Sequence, residues 1–311
     1  MKFPYSDDNK RYHTLNYYLK HRFGKRVTKL PLNGGFTCPN RDGTCGFGGC
    51  TYCSGAASGD FAADPALSVR EQMMQMKAVY HQKWPDSLFI PYFQAGTGTY
   101  APVETLRRMY EEALSFPNVV GLAIATRPDC LPDEVLALLE ELSRRTFLTV
   151  ELGLQTVHDQ TAKRINRGHD LSKFVEGYEK LTARGIPVCV HIINGLPGET
   201  EEMMLESARF VADLHPFAVK IHLLHLLRGT AMGRQYEAEP FPLMEKDQYV
   251  SVVCQQLRLM PPETVIQRLT GDGDRHQLMG PMWSLRKREV LNAIDQKMAQ
   301  LNAVQGDRRM P

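Results

Sequence analysis

Cys38-Pro-Asn-Arg-Asp-Gly-Thr-Cys45-Gly-Phe-Gly-Gly-Cys50-Thr-Tyr-Cys53 sets four cysteines within sixteen residues. Thiolates at the Cys50-x-x-Cys53 spacing can close on one metal centre, and the glycines let the backbone wrap it. Backbone N–H groups in such a loop also stabilise sulfide and thiolate charge. Two chemistries fit. Four cysteines can hold a structural zinc ion in an all-thiolate site. Three can hold a [4Fe–4S] cluster and leave one iron open to a ligand. Spacing leaves the choice between zinc and iron undecided. Buried cysteines with no ligand fit worse, because the loop is polar and rich in glycine.

The loop joins a short apolar run to a longer amphipathic one, and that alternation repeats downstream. Residues 27–32, 87–93, 119–125, 148–154, 188–193 and 219–224 read as strands. Residues 69–84, 103–115, 133–145, 171–184 and 201–214 read as helices, with Pro102 and Pro132 opening two of them and Gly185 closing another. Six β/α steps between residues 27 and 230 imply an α/β protein with a parallel sheet and helices outside it. Periodicity does not separate an open sheet from an incomplete barrel. In both, functional groups gather at the C-terminal ends of the strands. A helix near residues 246–260, a strand around 265–269 and a helix near 285–301 form a small C-terminal α/β extension. Residues 306–311 are expected to fray. The expected organisation is a basic N-terminal helical segment over residues 1–26, a core over 27–234 and the extension over 235–311.

The chain has 311 residues, 43% hydrophobic and 23% charged, which is enough for one large domain with appendages. No stretch approaches the roughly 18 apolar residues of a membrane span. The polar start MKFPYSDDNK lacks the apolar core of a secretory signal, so the expected location is cytoplasmic. There, seven cysteines point to metal or redox chemistry rather than a disulfide framework. A formal net charge of +2 says little about partners, but residues 9–29 carry seven Lys or Arg and no acid. Tyr12, Tyr17, Tyr18 and Phe23 are interleaved with them. Such a stretch suits a nucleic acid strand, or a solvated helix that packs its aromatics on the core.

A strand, a cysteine loop ending C-x-aromatic-C and a helix resemble the opening of the radical S-adenosylmethionine (SAM) superfamily. The long gap ahead of GGCTYC resembles the YhcC-like branch, akin to the radical SAM domain of the elongator acetyltransferase. The resemblance extends over residues 10–275 through an ordered set of segments. Gln94-Ala-Gly-Thr-Gly-Thr-Tyr100, Thr126-Arg-Pro-Asp129, Glu151-Leu-Gly-Leu-Gln-Thr156, Ile165-Asn-Arg-Gly-His169 and Gly195-Leu-Pro-Gly-Glu199 follow in register. The resemblance implies a partial (β/α)6 TIM-type barrel. It implies a [4Fe–4S] cluster on Cys38, Cys50 and Cys53, with Cys45 a spare thiol, while Cys45, Cys50 and Cys53 form an alternative triplet. It also implies SAM as the second cofactor and a one-electron reductant of flavodoxin or ferredoxin type. The expected reaction is reductive cleavage of SAM to a 5′-deoxyadenosyl radical that acts on an unidentified substrate. Elongator-like relatives act on tRNA, so RNA is one substrate class the resemblance suggests. A zinc-binding, non-enzymatic protein that contacts RNA through its basic N-terminal stretch is the alternative.

The same resemblance suggests which residues hold SAM. Tyr52 would pack near the adenine, and Gln94, Gly96 and Thr97 belong to the segment that meets the methionine amino group. Gly195 lies in the turn beneath the adenine. That turn lacks the Lys-Ser/Thr of a phosphate loop. Glu151 and Gln155 stand four apart on one strand and so share a face. A carboxylate and an amide in an apolar strand need partners, either SAM or, for Glu151, Arg127. Arg167 and His169 resemble the family's Arg-Gly-His and could contact substrate or anchor a helix start. His191, His222 and His225 fall near strand ends and read as core residues. His222 and His225, three apart, would face opposite ways on one strand. Cys130, Cys189 and Cys254 read as buried apolar residues. Asp272 and Asp274 lack the rest of a calcium loop.

Overall fold

A computed structural model describes residues 3–57 and 59–308. The chain runs α1 (Leu15–Phe23), β1 (Val27–Leu32), α2 (Val69–His81), β2 (Leu88–Phe93), α3 (Val103–Leu114) and β3 (Gly121–Thr126). It continues through α4 (Asp133–Arg145), β4 (Phe147–Gln155), α5 (Asp159–Arg164), α6 (Leu171–Thr182), β5 (Val188–Asn194), α7 (Glu201–Asp213) and β6 (Ala218–Leu223). Last come β7 (Leu226–Leu227), α8 (Ala231–Ala238), α9 (Lys246–Leu259), β8 (Val265–Arg268), β9 (Leu278–Gly280) and α10 (Lys287–Gln300).

The main sheet is parallel throughout, in the order β1-β2-β3-β4-β5-β6-β8, and forms a partial α/β barrel. The expected six strands are present. A seventh, β8, comes from the C-terminal extension and pairs with β6 through Ala218↔Val265 and Val219↔Ile266. The edges β1 and β8 do not pair, but Lys29 Nζ donates to Gln267 Oε1 across the gap at 2.8 Å. The helices are started by local chemistry. Ser68 and Glu71 form a reciprocal capping box on α2, and Thr14, Asp170 and Thr200 accept backbone N–H bonds at the starts of α1, α6 and α7.

The main core lies between the sheet and its outer helices, with Leu30, Phe93, Leu122, Val150 and Val190 buried under α2, α3, α4 and α6. A second cluster seals the N-terminal end of the barrel. Leu15, Tyr18, Leu19 and Phe23 of α1 pack against Ile90, Ala123, Phe147, Ala218 and Val265. The Arg22 guanidinium stands 4.7 Å from the Phe147 ring centroid. Tyr18 and Phe23 thus pack on the barrel, while Tyr17 stands against His13 and His21 and Lys20, Arg22, Lys25 and Arg26 remain exposed.

One expectation is corrected at the C-terminus. Gly306–Arg308 does not fray, because Gly306 N donates to Leu257 O at 3.2 Å, Arg308 N donates to Arg258 O at 3.0 Å, and Arg258 pairs with Asp307 at 2.6 Å. Residues 309–311 lie outside the described residues.

Candidate active site

A cavity of about 330 Å³ opens at the C-terminal ends of the strands. Cys38, Cys50 and Cys53 line it, and Cys45 does not. The loop that carries them is built by its own backbone. Arg41 N donates to Cys38 O at 2.7 Å, Gly49 N to Asn40 O at 2.7 Å and Cys53 N to Cys50 O at 2.9 Å. Gly48 and Gly49 take φ of 76° and 75°, a left-handed pair that turns the chain back toward Cys50. Cys45 points elsewhere. It is exposed, and Arg127 Nη2 lies 3.7 Å from its sulfur.

The segment Ile165–His169 pins this loop from the barrel side. Asn166 Nδ2 donates to Gly49 O at 2.8 Å and Phe47 O at 3.2 Å, and Asn40 Nδ2 donates back to Asn166 O at 2.6 Å. Thr51 N donates to Ile165 O at 2.9 Å. Arg167 is almost fully buried and lines the cavity. Its guanidinium donates to Leu154 O at 2.5 Å, Thr156 O at 2.6 Å and His169 O at 3.0 Å. The Arg-Gly-His segment is therefore an anchor of loop and strand end.

Of the remaining sequence-derived candidates, Tyr52, Gln94, Gly96, Thr97, Glu151 and Gln155 all line the cavity, and Gly195 does not. Tyr52 packs on Ile165, Leu196 and Leu224. Gly96 has φ 69°, and a Cβ there would fall 2.1 Å from Phe36 O, so only glycine fits. Gln155 ends β4 with φ 63°, after a register shift against β5 between Gly153 and Gln155. Gly195, with φ 82°, turns the chain beside Met244 and Leu223.

Glu151 has partners the sequence reading did not name. Arg127 is taken by Asp129 at 2.7 and 2.9 Å, so it does not pair with Glu151. The Glu151 carboxylate instead meets Lys29 at 2.6 Å, His191 Nε2 at 3.0 Å and, in a short contact, Lys220. Burial alone would raise the Glu151 carboxyl, but Lys220, Lys29 and His191 hold it well below the usual carboxylate range. Burial lowers Lys220 to about 8, with Glu151 opposing the drop and Lys29 adding to it. Burial and the neighbouring Lys220 lower His191 to about 4. At neutral pH His191 is then a neutral imidazole, and its Nε2–H donates to the carboxylate. Lys29 and Lys220 carried the same signal as Glu151, a charge inside an otherwise apolar strand.

His222 and His225 both line the cavity, contrary to expectation. The alternation rule fails because β6 ends at Leu223, and His225 lies beyond it where the chain has left the strand. Cys130, Cys189 and Cys254 are buried, as read.

Among the described residues, no three His, Cys, Asp or Glu side chains form a group already placed to hold a metal ion. Cys38, Cys50 and Cys53 line one cavity, a set of three thiols that suits iron–sulfur ligation with one iron left open and is one short of an all-cysteine zinc site. Burial pushes the Cys50 thiol up to about 11, with Cys53 adding to it. A cationic centre is what converts such a thiol to a thiolate ligand.

A family model described as the radical SAM superfamily matches residues 40–211, and one described as the Radical SAM C-terminal domain matches residues 216–300. The chain belongs to the radical SAM superfamily. Curated relatives match it along most of its length. It is 54% identical to the uncharacterized protein YtqA of Bacillus subtilis over 98% of this chain and 94% of that one. It is 40% identical to the protein YhcC of Escherichia coli over 85% of each. The archaeal Methanocaldococcus infernus Elp3, solved with an N-terminal deletion, shares the fold at a TM-score of 0.65 and 19% identity. That match covers 90% of this chain and 64% of the archaeal one. The radical SAM fold and family make this chain an enzyme. Among its described residues no helix is long and apolar enough to cross a membrane.

Proposed function

We propose that this radical SAM enzyme holds a [4Fe–4S] cluster on Cys38, Cys50 and Cys53 and binds SAM beside it. The observation that carries the proposal is that these three cysteines share one cavity while Cys45 stands outside it. Bound there, the cluster and SAM supply one-electron cleavage to methionine and a 5′-deoxyadenosyl radical that removes hydrogen from a substrate. The chain's own residues position and enclose. Asn166 and Asn40 hold the cysteine loop in place, and Arg167 fixes the end of β4 beside it. Gly96 lets the Gln94–Thr97 backbone approach the loop. Tyr52, Gln94, Gly96, Thr97 and Gln155 are the proposed SAM contacts, with the Gly195 turn behind them. Glu151 belongs to a lower layer, because Lys29, Lys220 and His191 already occupy its carboxylate.

A one-electron reductant of flavodoxin or ferredoxin type would reach the cluster from the exposed loop. The likeness to the elongator radical SAM domain supports RNA as a substrate class. The basic N-terminal stretch adds nothing to it, since α1 packs at the opposite end of the barrel.

Anaerobic purification tests the reading. About four iron and four sulfide per chain, with 5′-deoxyadenosine released on reduction with SAM, is the expected result. Colourless protein with stoichiometric zinc would overturn it.

A further inference from the structure

Below the cysteine mouth, the barrel interior carries a charged layer. Lys29 lies three residues before the end of β1 and Lys220 three before the end of β6. At about 3.3 Å per residue the layer sits about 10 Å below the rim. It contains Lys29, Tyr92, Glu151, His191, Lys220 and Gln267, joined through the contacts of Lys29, Lys220 and His191.

The layer is short of negative charge. Lys29 and Lys220 share the single carboxylate of Glu151. Arg268 stands beside it, 3.7 Å from Asp272, and Asp272 is itself held by Lys287 at 2.7 Å. Within the buried layer two ammonium groups thus face one carboxylate, while Arg268, Asp272 and Lys287 lie at its partly exposed edge. Burying unbalanced charge costs several kcal/mol per ion unless a partner compensates it. The layer is also short of acceptors. Gln267 gives its oxygen to Lys29, and its Nε2, which can only donate, is buried with no partner. His222 Nε2 and His225 Nε2 are also buried without partners, and in the Nε2–H tautomer each is a donor in want of an acceptor. The layer is not sealed, because Lys220, His222, His225 and Arg268 line the same cavity as the cysteines.

We propose that the substrate of this enzyme carries an oxyanion, a carboxylate or a phosphate, that seats on Lys220, His222 and Arg268 at the cavity floor. This deepens the reading of the cavity as a radical SAM site and rests on it. The oxyanion supplies the missing negative charge and takes the charge-assisted hydrogen bonds that the layer has in surplus. The placement orients the rest of the substrate upward, toward the mouth where the cysteines lie.

Calorimetric titration of the cluster-loaded enzyme with inorganic phosphate and with malonate, each with and without saturating SAM, tests the proposal. One saturable site per chain is expected for one probe or both. The tighter probe identifies the oxyanion as phosphate or carboxylate. Lys220→Met should weaken binding by about tenfold or more, as should His222→Gln, which keeps the packing if the lysine variant fails to fold. Neither probe binding, both variants binding as the wild type does, or displacement of the probe by SAM would overturn it. Wild-type enzyme that cleaves SAM but binds neither probe defeats this proposal alone. Enzyme that binds a probe but releases no 5′-deoxyadenosine defeats the radical SAM reading instead.

Discussion

The Lys29 ammonium lies 2.6 Å from the Glu151 carboxylate, which joins β1 to β4 across the barrel interior although the two strands do not touch in the sheet. With Lys220 and His191 on the same carboxylate, this contact ties four strands together from inside. Glu151→Ala leaves two ammonium groups in the barrel with no counter-charge. It should cost about 3–5 kcal/mol in denaturant unfolding, the range for breaking a buried ion pair on one side. A loss under about 1 kcal/mol would show that water, not Glu151, balances the lysines.

Acid should weaken the fold through its histidines. Burial lowers His169, His191 and His225 to about 4. The unfolded chain therefore binds more protons than the folded one between about pH 4 and 6.5, and stability rises with pH across that window. Each histidine contributes at most about 1.4 kcal/mol per pH unit, less where solvent reaches it. Denaturant midpoints at pH 5 and pH 7 would show it, and His191→Gln should flatten the slope.

The cysteine assignment divides the loop three to one. Cys38→Ala, Cys50→Ala and Cys53→Ala should each purify without cluster iron, and Cys45→Ala should keep it. Iron and sulfide content with the visible spectrum decides this. Iron lost from Cys45→Ala would overturn the ligand set.

Asn166→Ala removes the two hydrogen bonds that hold the loop backbone at Phe47 and Gly49. Global stability should fall by only about 1–2 kcal/mol. Amide exchange should speed up locally over residues 46–53, and reconstituted protein should lose iron faster.

Gly96→Ala is expected to be worse than a surface change, because the Cβ meets Phe36 O at 2.1 Å in a backbone of φ 69°. Neither a backbone carbonyl nor a left-handed alanine can yield cheaply. A loss above about 2 kcal/mol, read from thermal unfolding, is the expected outcome.

The β/α alternation was legible because each strand is a short apolar run beside an amphipathic helix. β8 reads as a strand around residues 265–269, but it is only four residues long and follows a long helix, so nothing local says that it joins the main sheet. The cysteine loop and the strand-end segments could be read directly, since their chemistry is local. The partners of Glu151 could not. Lys29 and Lys220 lie 122 and 69 residues from it, and only the closing of the barrel brings them together. His225 departs from the strand alternation for a similar reason, since a two-residue period holds only while the strand lasts and β6 ends at Leu223.

The aromatic stopper that α1 drives into the N-terminal end of the barrel gives the cavity a direction of traffic. A compound seated on the lysine floor would enter and leave on the side where the cysteines lie, so a helix at one end of the barrel would leave the reaction chamber a single mouth at the other.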